Sequence, residues 1–171
     1  RLQDYSKKHQ FLFVEDWVLL LLYVGHRYIA GITHYQKMLF LIFYEFAPEW
    51  NIPTENPGFY GYKYGPYSAR IDAAINFLIQ CGYITTEGRK SSSKERFSIT
   101  SMGEVRGKEI FEKLSEEQQK SLAAFRDYWD QKPTSAILKY VYSNKKYAEF
   151  IKRSVILSRL FPGKKLYRRR G

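Results

Sequence analysis

Arg89, Lys90 and Lys94, with Arg96 just beyond them, crowd a polar stretch that also holds Ser91, Ser92 and Ser93. Flexible cations beside hydroxyl groups suit phosphate oxygens, the first by charge and the second by hydrogen bonds. A solvated surface turn has the same composition, so the neighbours of this stretch decide what it means. A short amphipathic segment precedes it, with Ile71, Ile75, Leu78 and Ile79 at helical spacing. The opposite side of that helix would carry Ala69, Ala73, Asn76 and Gln80, with Arg70 on one flank and Asp72 on the other. Asn and Gln can pair with both hydrogen-bonding positions of an adenine edge, and Ala can touch a thymine methyl. A second cationic run, Lys164, Lys165, Arg168, Arg169 and Arg170, could wrap phosphates or serve as a solubilising end.

Other chemistry is hard to assemble. His9, His26 and His34 are scattered without metal-ligand spacing, and one cysteine cannot build a structural zinc site. Gly58, Gly61 and Gly65 are separated by aromatics and lead into no Lys-Ser or Lys-Thr pair, so no phosphate loop is present. Neither a nucleophile elbow nor a pair of catalytic carboxylates stands out. Nothing argues for an enzyme, and no metal, cofactor or small-molecule substrate is expected. Cys81 falls in the last turn of an apolar helix and is expected to be a buried, inert thiol.

The net charge of +11 is unevenly spread. Residues 89–100 carry +3 and residues 152–171 carry +8, which is the whole excess. Segregated positive charge is the footprint of a polyanionic partner. The longest apolar runs, 17–24 and 38–44, are too short to span a bilayer. With a single cysteine and no visible signal segment, the expectation is a cytoplasmic protein without a membrane partner. Tyrosine is abundant, with 15 residues, which fits either a partner-binding surface or a core whose hydroxyls reach the rim.

The elements that would position these residues follow from periodicity. Residues 11–30 read as a helix ended by Gly31. Thr33 and Gln36 form a capping-box pair ahead of a second helix over 35–46, apolar nearly all round. Such a helix is central in its domain or faces another chain, so a homodimer or protein partner is expected. An irregular stretch, 47–64, carries three prolines and the aromatic run from Phe59 to Tyr64. Gly65-Pro66 opens the helix described above and Gly82 closes it. Tyr83–Thr86 and Arg96–Thr100 read as strands flanking the basic loop. Residues 103–114 form a helix with Val105, Ile110, Phe111 and Leu114 buried. Ser115 with Gln118 caps another that runs to Trp129. After Lys132-Pro133-Thr134 a short helix buries Ile137, Leu138, Val141 and Tyr142, and 155–161 adds a turn or two. The fold class is mainly α with a small β-hairpin: a winged helix-turn-helix-like core over 11–114, a C-terminal helical extension over 115–161 and a basic tail over 162–171.

Two motifs resemble a known group. Thr33-His34-Tyr35-Gln36-Lys37-Met38-Leu39-Phe40-Leu41 is similar to the Thr-x-x-Gln-Lys helix of the SocA-like (Panacea-domain) antitoxin group and its YwgA-type relatives. Tyr64-Gly65-Pro66-Tyr67-Ser68, followed by Ile71, Leu78 and Gly82, resembles that group's Tyr-Gly-Pro-Phe/Tyr-Ser helix start. Phe97-Ser98-Ile99-Thr100, with Gly103, resembles its closing strand. The likeness covers Asp16 to about Leu114, with a weaker echo over 138–142. It implies a winged-helix-like prokaryotic protein, often paired with a toxin or acting as an adaptor or regulator, and it carries over no site residue. The basic tail departs from that group.

Two functions are therefore expected. The first is a duplex-DNA-binding module, of the transcription-regulator kind. The helix residues Ala69, Arg70, Ala73, Asn76 and Gln80 would lie in a groove, and the basic loop and tail would hold phosphates. The second is a protein-interaction module of antitoxin or adaptor type, using the aromatic segment 57–67 and the apolar helices.

Overall fold

The structure, a computed structural model, describes residues 11–162. The cations expected at Lys164, Lys165, Arg168, Arg169 and Arg170 lie outside the described residues. The chain is mainly helical with a small antiparallel sheet. Helix α1 (Val14–Gly25) opens where Asp16 accepts the Phe13 amide and Glu55 accepts the Val14 amide, so two carboxylates satisfy its first donors. Its Val14, Trp17 and the run from Val18 to Leu22 are fully buried. The helix stops five residues earlier than expected. His26 adopts a left-handed conformation at its end, and Ile29–Ala30 leaves as strand β1.

Helix α2 (Ile32–Leu41) continues through a wider π turn (Ile42–Phe46) into Ala47–Glu49. Its N-cap is Gly31, not Thr33. Gln36 turns inward instead of back to the cap, so the expected capping box does not form. From Tyr35 to Ile42 the helix is buried by this same chain, with Phe40 packed on Tyr44, Phe59, Tyr147 and Phe150. Its all-round apolarity is explained by centrality. It supplies no free face for a second chain, which removes the reason for expecting a homodimer.

What surrounds α2 begins with a hairpin, β2 (Tyr60–Tyr62) in the stretch expected to be irregular and β3 (Gly65–Tyr67) at the expected helix start. Gly65-Pro66 therefore does not open a helix; it pairs back onto Gly61 and Tyr62. Ser68 is the true N-cap of α3 (Ala69–Gln80), its hydroxyl accepting the Ile71 amide at 3.1 Å. Gln36 grips this junction both ways. Its amide donates to the Ser68 carbonyl (2.8 Å) and to Asp72 (2.9 Å), while its oxygen accepts the Ser68 amide (3.1 Å). Lys37, only 2% exposed, donates to the Pro66 carbonyl at 2.9 Å. Both residues of the Gln-Lys motif thus dock the Gly-Pro-Tyr-Ser motif onto α2.

Helix α3 leads through Gly82 into β4 (Ile84–Glu87), which pairs with β5 (Arg96–Ile99), which pairs with β1. The sheet order is β1-β5-β4, with β1 at an edge. Thr100 caps α4 (Ser101–Glu112) and Ser115 with Gln118 caps α5 (Glu116–Asp130) in the expected box. On α4, Val105 points to solvent instead of the core. Helix α6 (Thr134–Ser143) buries Ile137, Leu138, Val141 and Tyr142 as expected, and two short turns follow, Ala148–Ile151 and Leu157–Leu160. Leu122, Trp129, Ile137 and Val141 belong to one buried cluster with residues of α1 and α2.

The guanidinium of Arg126, fully buried on α5, ties these parts together. It donates to the carbonyls of Leu21, Arg27 and Tyr28 at 2.6, 2.9 and 3.1 Å and to Asp130 at 2.8 Å. All three of its nitrogens are therefore engaged, as a buried charge requires. Gly25 leaves the necessary room, since a Cβ there would stand 2.2 Å from Arg126. Among the described residues no helix is long and apolar enough to cross a membrane.

Burial pushes the Lys37 amine down to about 7 against the pull of Asp72. The unfolded chain binds this proton up to the ordinary value of 10.5, so it holds more protons than the folded chain between pH 7 and 10.5. Folding stability should therefore rise with pH across that window, by up to about 1.4 kcal/mol per unit. In urea titrations at pH 7 to 9.5, Lys37→Met should flatten this rise and lose no stability at pH 7. A variant that keeps the slope, or loses more than about 2 kcal/mol at pH 7, refutes this account of the buried amine.

Candidate nucleic-acid interface

Helix α3 shows the two-sided character its spacing demands. Ile71, Ala74, Ile75 and Leu78 are buried, whereas Ala69, Ala73, Asn76 and Gln80 are exposed. The side chains of Asn76 and Gln80 form no hydrogen bond with the described residues, so their amides remain open to a base edge. Phe77 lies on this face too, 53% exposed, and no reading of the apolar stripe singles it out. Its position four residues after Ala73 is the signal that would have found it. Cys81 is exposed, contrary to the expected buried thiol, because α3 has ended by Gln80 and the chain is turning outward.

Arg70 does not belong with these residues. Its guanidinium binds Glu55 at 2.8 and 3.1 Å and Glu15 at 2.7 Å. Two carboxylates, one from the start of α1 and one from the segment before the hairpin, therefore consume the charge that sequence assigns to phosphates. The hydrogen bond to Arg70 holds the Glu15 carboxyl below its ordinary range although burial opposes this, and the same contacts raise Arg70.

The basic loop is braced. Gly88 has φ +88°, and a Cβ there would meet the Lys94 carbonyl at 2.5 Å, so only glycine lets the two strands of the loop close. Glu95 is buried, accepting the Ser91 amide on its carboxylate (3.2 Å) and the Gly31 amide on its carbonyl (2.7 Å). Ser92 donates to the Arg89 carbonyl at 2.6 Å. With the loop's own acid turned inward, Arg89, Lys90 and Lys94 stay exposed without a carboxylate partner among the described residues. Arg96 is exposed on β5, with its guanidinium 4.6 Å above the ring of Tyr28. Only residues 81–83 separate the loop's first strand from α3, and the Tyr83 amide bonds back to the Leu78 carbonyl at 2.9 Å. Among the described residues no group of three His, Cys, Asp or Glu side chains is placed to hold a metal ion.

Arg70→Ala tests the reassignment. It should cost on the order of 1 kcal/mol of stability, because a part-buried, charge-assisted network is lost. Glu15's folded value is depressed, so its contribution is complete above 4.5 and is lost as pH falls through that depressed value. The variant should accordingly lose that acid dependence while its affinity for duplex DNA stays at the parent level. Weaker DNA binding with unchanged stability returns Arg70 to the interface.

The chain matches no protein-family model and no curated protein. The likeness carried by Gln36, Lys37 and the Gly65–Ser68 segment thus remains a resemblance of motifs, and function has to be argued from geometry.

Proposed function

We propose that this chain is a duplex-DNA-binding winged-helix protein of the transcription-regulator kind. The observation that carries the reading is the braced loop. Three exposed cations without carboxylate partners among the described residues sit on a short, internally bonded turn directly after a helix whose outer face is open. Supporting it is the sheet order β1-β5-β4, with β1 ahead of α2 and β4–β5 after α3, which is the strand order of a winged helix. In this reading Ala69, Ala73, Asn76 and Gln80 face base edges, and Arg89, Lys90, Lys94 and Arg96 hold the sugar–phosphate backbone. Arg70 has no part in contact; it fixes the base of the reading helix.

A second reading, a protein-interaction module of antitoxin or adaptor type, is favoured by one specific feature. Phe77 on the open face of α3, and Tyr60, Tyr62 and Tyr64 on the hairpin, leave large rings exposed to solvent. Tyr60, Tyr62 and Tyr67 pack edgewise or tilted on one another at 5.5–6.2 Å between centroids, the kind of rigid aromatic surface that proteins recognise.

Binding to random duplex DNA in a gel-shift series should separate the two. With six to ten phosphate contacts, affinity should fall by about 10³ to 10⁵ between 50 and 200 mM salt. Replacing Arg89, Lys90 and Lys94 by Ala should weaken all sequences alike, whereas Asn76→Ala with Gln80→Ala should flatten sequence preference, by about 1–3 kcal/mol per lost bidentate contact. No binding at low salt, or binding that ignores salt, would sink the DNA reading in favour of the protein partner; a loop variant that binds like the parent would sink the winged-helix mechanism.

A further inference from the structure

A groove of about 420 Å³ opens on the far side of the edge strand β1, between it and the turn from α5 into α6. Arg27 and Tyr28 form one wall, Asp130, Lys132 and Thr134 the other, and His34 of α2 the floor. Its hydrogen-bonding capacity is lopsided. Most of the acceptors named around it are already engaged within the protein. Asp130 takes the buried Arg126 at 2.8 Å, and the carbonyls of Arg27 and Tyr28 take the same guanidinium. The Thr134 hydroxyl meets His34 Nδ1 at 3.1 Å. The Trp129 carbonyl accepts the Lys132 amide at 3.2 Å and also bonds the His34 ring.

Donors remain. The Arg27 guanidinium reaches only a 3.8 Å ion pair with Asp130, and its side chain is 68% exposed. Lys132 Nζ lies over the Tyr128 ring at 4.6 Å and has no carboxylate partner among the described residues. Asp130 is the only acid on the walls, and the buried charge of Arg126 already neutralises it. A cavity with free donors, spent acceptors and net positive charge suits a compact oxyanion, and its volume lies within the range of small-ligand pockets.

We infer that this groove is a phosphate-binding site, with Arg27 and Lys132 as the phosphate ligands and the Tyr28 ring as a flat wall beside them. The phosphate can come from a small phosphorylated molecule such as a mononucleotide or from a nucleic-acid backbone, and both present the same tetrahedral oxyanion. The site is distinct from the basic loop and does not rest on the DNA reading above. Its cations belong to the turn before β1 and the turn before α6, and neither touches Arg89, Lys90 or Lys94.

Calorimetric titration of the full chain with adenosine 5′-monophosphate, with inorganic phosphate and with a 20-base-pair duplex tests this. The parent should bind the mononucleotide and inorganic phosphate. Arg27→Ala with Lys132→Ala should weaken both at least tenfold, and the loop triple variant should leave both unchanged. Both replaced side chains are on the surface, so an unaltered unfolding midpoint separates lost binding from lost structure. If the mononucleotide does not bind but the Arg27/Lys132 variant loses at least tenfold in duplex affinity, the phosphate site stands and its source is the backbone. Should none of the three titrations respond to the double variant, the inference is overturned.

Discussion

Gln36 offers one amide to the backbone of Ser68, and both sides of that amide are used. An extended residue captured in this way cannot slide along its partner, because a shift of one position would break both bonds and leave buried polar groups unpaired. The register of the hairpin against α2 follows from it, and so does the residue at which α3 begins. Because Ser68 is held, its hydroxyl is free to do two further things, donating to the Pro57 carbonyl and receiving the Ile71 amide. Which residues of α3 face outward is therefore decided thirty-two residues upstream, on a different helix. The Tyr67 hydroxyl bonds Asp72 on the far side of the same junction, so the first turn of α3 is tied from both directions.

Charge in this molecule has to be read by its partners and not by its number. Arg126, Arg70 and Arg89 are one residue type in three states: sealed in the interior, shared between two surface carboxylates, and free on a loop. The first two are structural because acceptors at fixed positions outcompete water for them. Only the third kind keeps its charge available to a polyanion. The loop preserves that availability by turning its one acid, Glu95, into the bend, where it serves as a brace instead of a counter-ion.

The parts of the fold that were legible in the sequence are those fixed by neighbours a few residues apart. The Ser115–Gln118 box, the stripe of Ile71, Ile75 and Leu78, the strands around the basic loop and the core side of α6 all formed as their spacing requires. Thr33 and Gln36 show how the same local grammar fails. Their spacing is that of a cap, but Gly31 took the cap position and the start of a distant helix took Gln36. Gly65-Pro66 reads as a helix start until Tyr62 is available for pairing. Of the candidate site, the open amides of α3 and the loop cations were visible because exposure follows from periodicity. Arg70 was misjudged because Glu15 and Glu55 lie 55 and 15 residues away. The groove beside β1 had no signal at all, since its walls come from separate segments that meet only after folding.

Arg126 has a consequence for how the chain reaches this state during synthesis. The corner between α1 and β1 exposes the carbonyls of Leu21, Arg27 and Tyr28, and their partner lies about a hundred residues later. A ribosome adding roughly 5–20 residues per second needs about 5–20 seconds to deliver it. Throughout that interval the corner must be solvated, and the apolar run from Leu19 to Leu22 lacks the lid that α5 provides. The nascent chain therefore passes through a period in which its first helix is covered by α3 and α4 but not by α5. Helix α5 thus acts as the closing step of α1, sealing a corner made about a hundred residues before it.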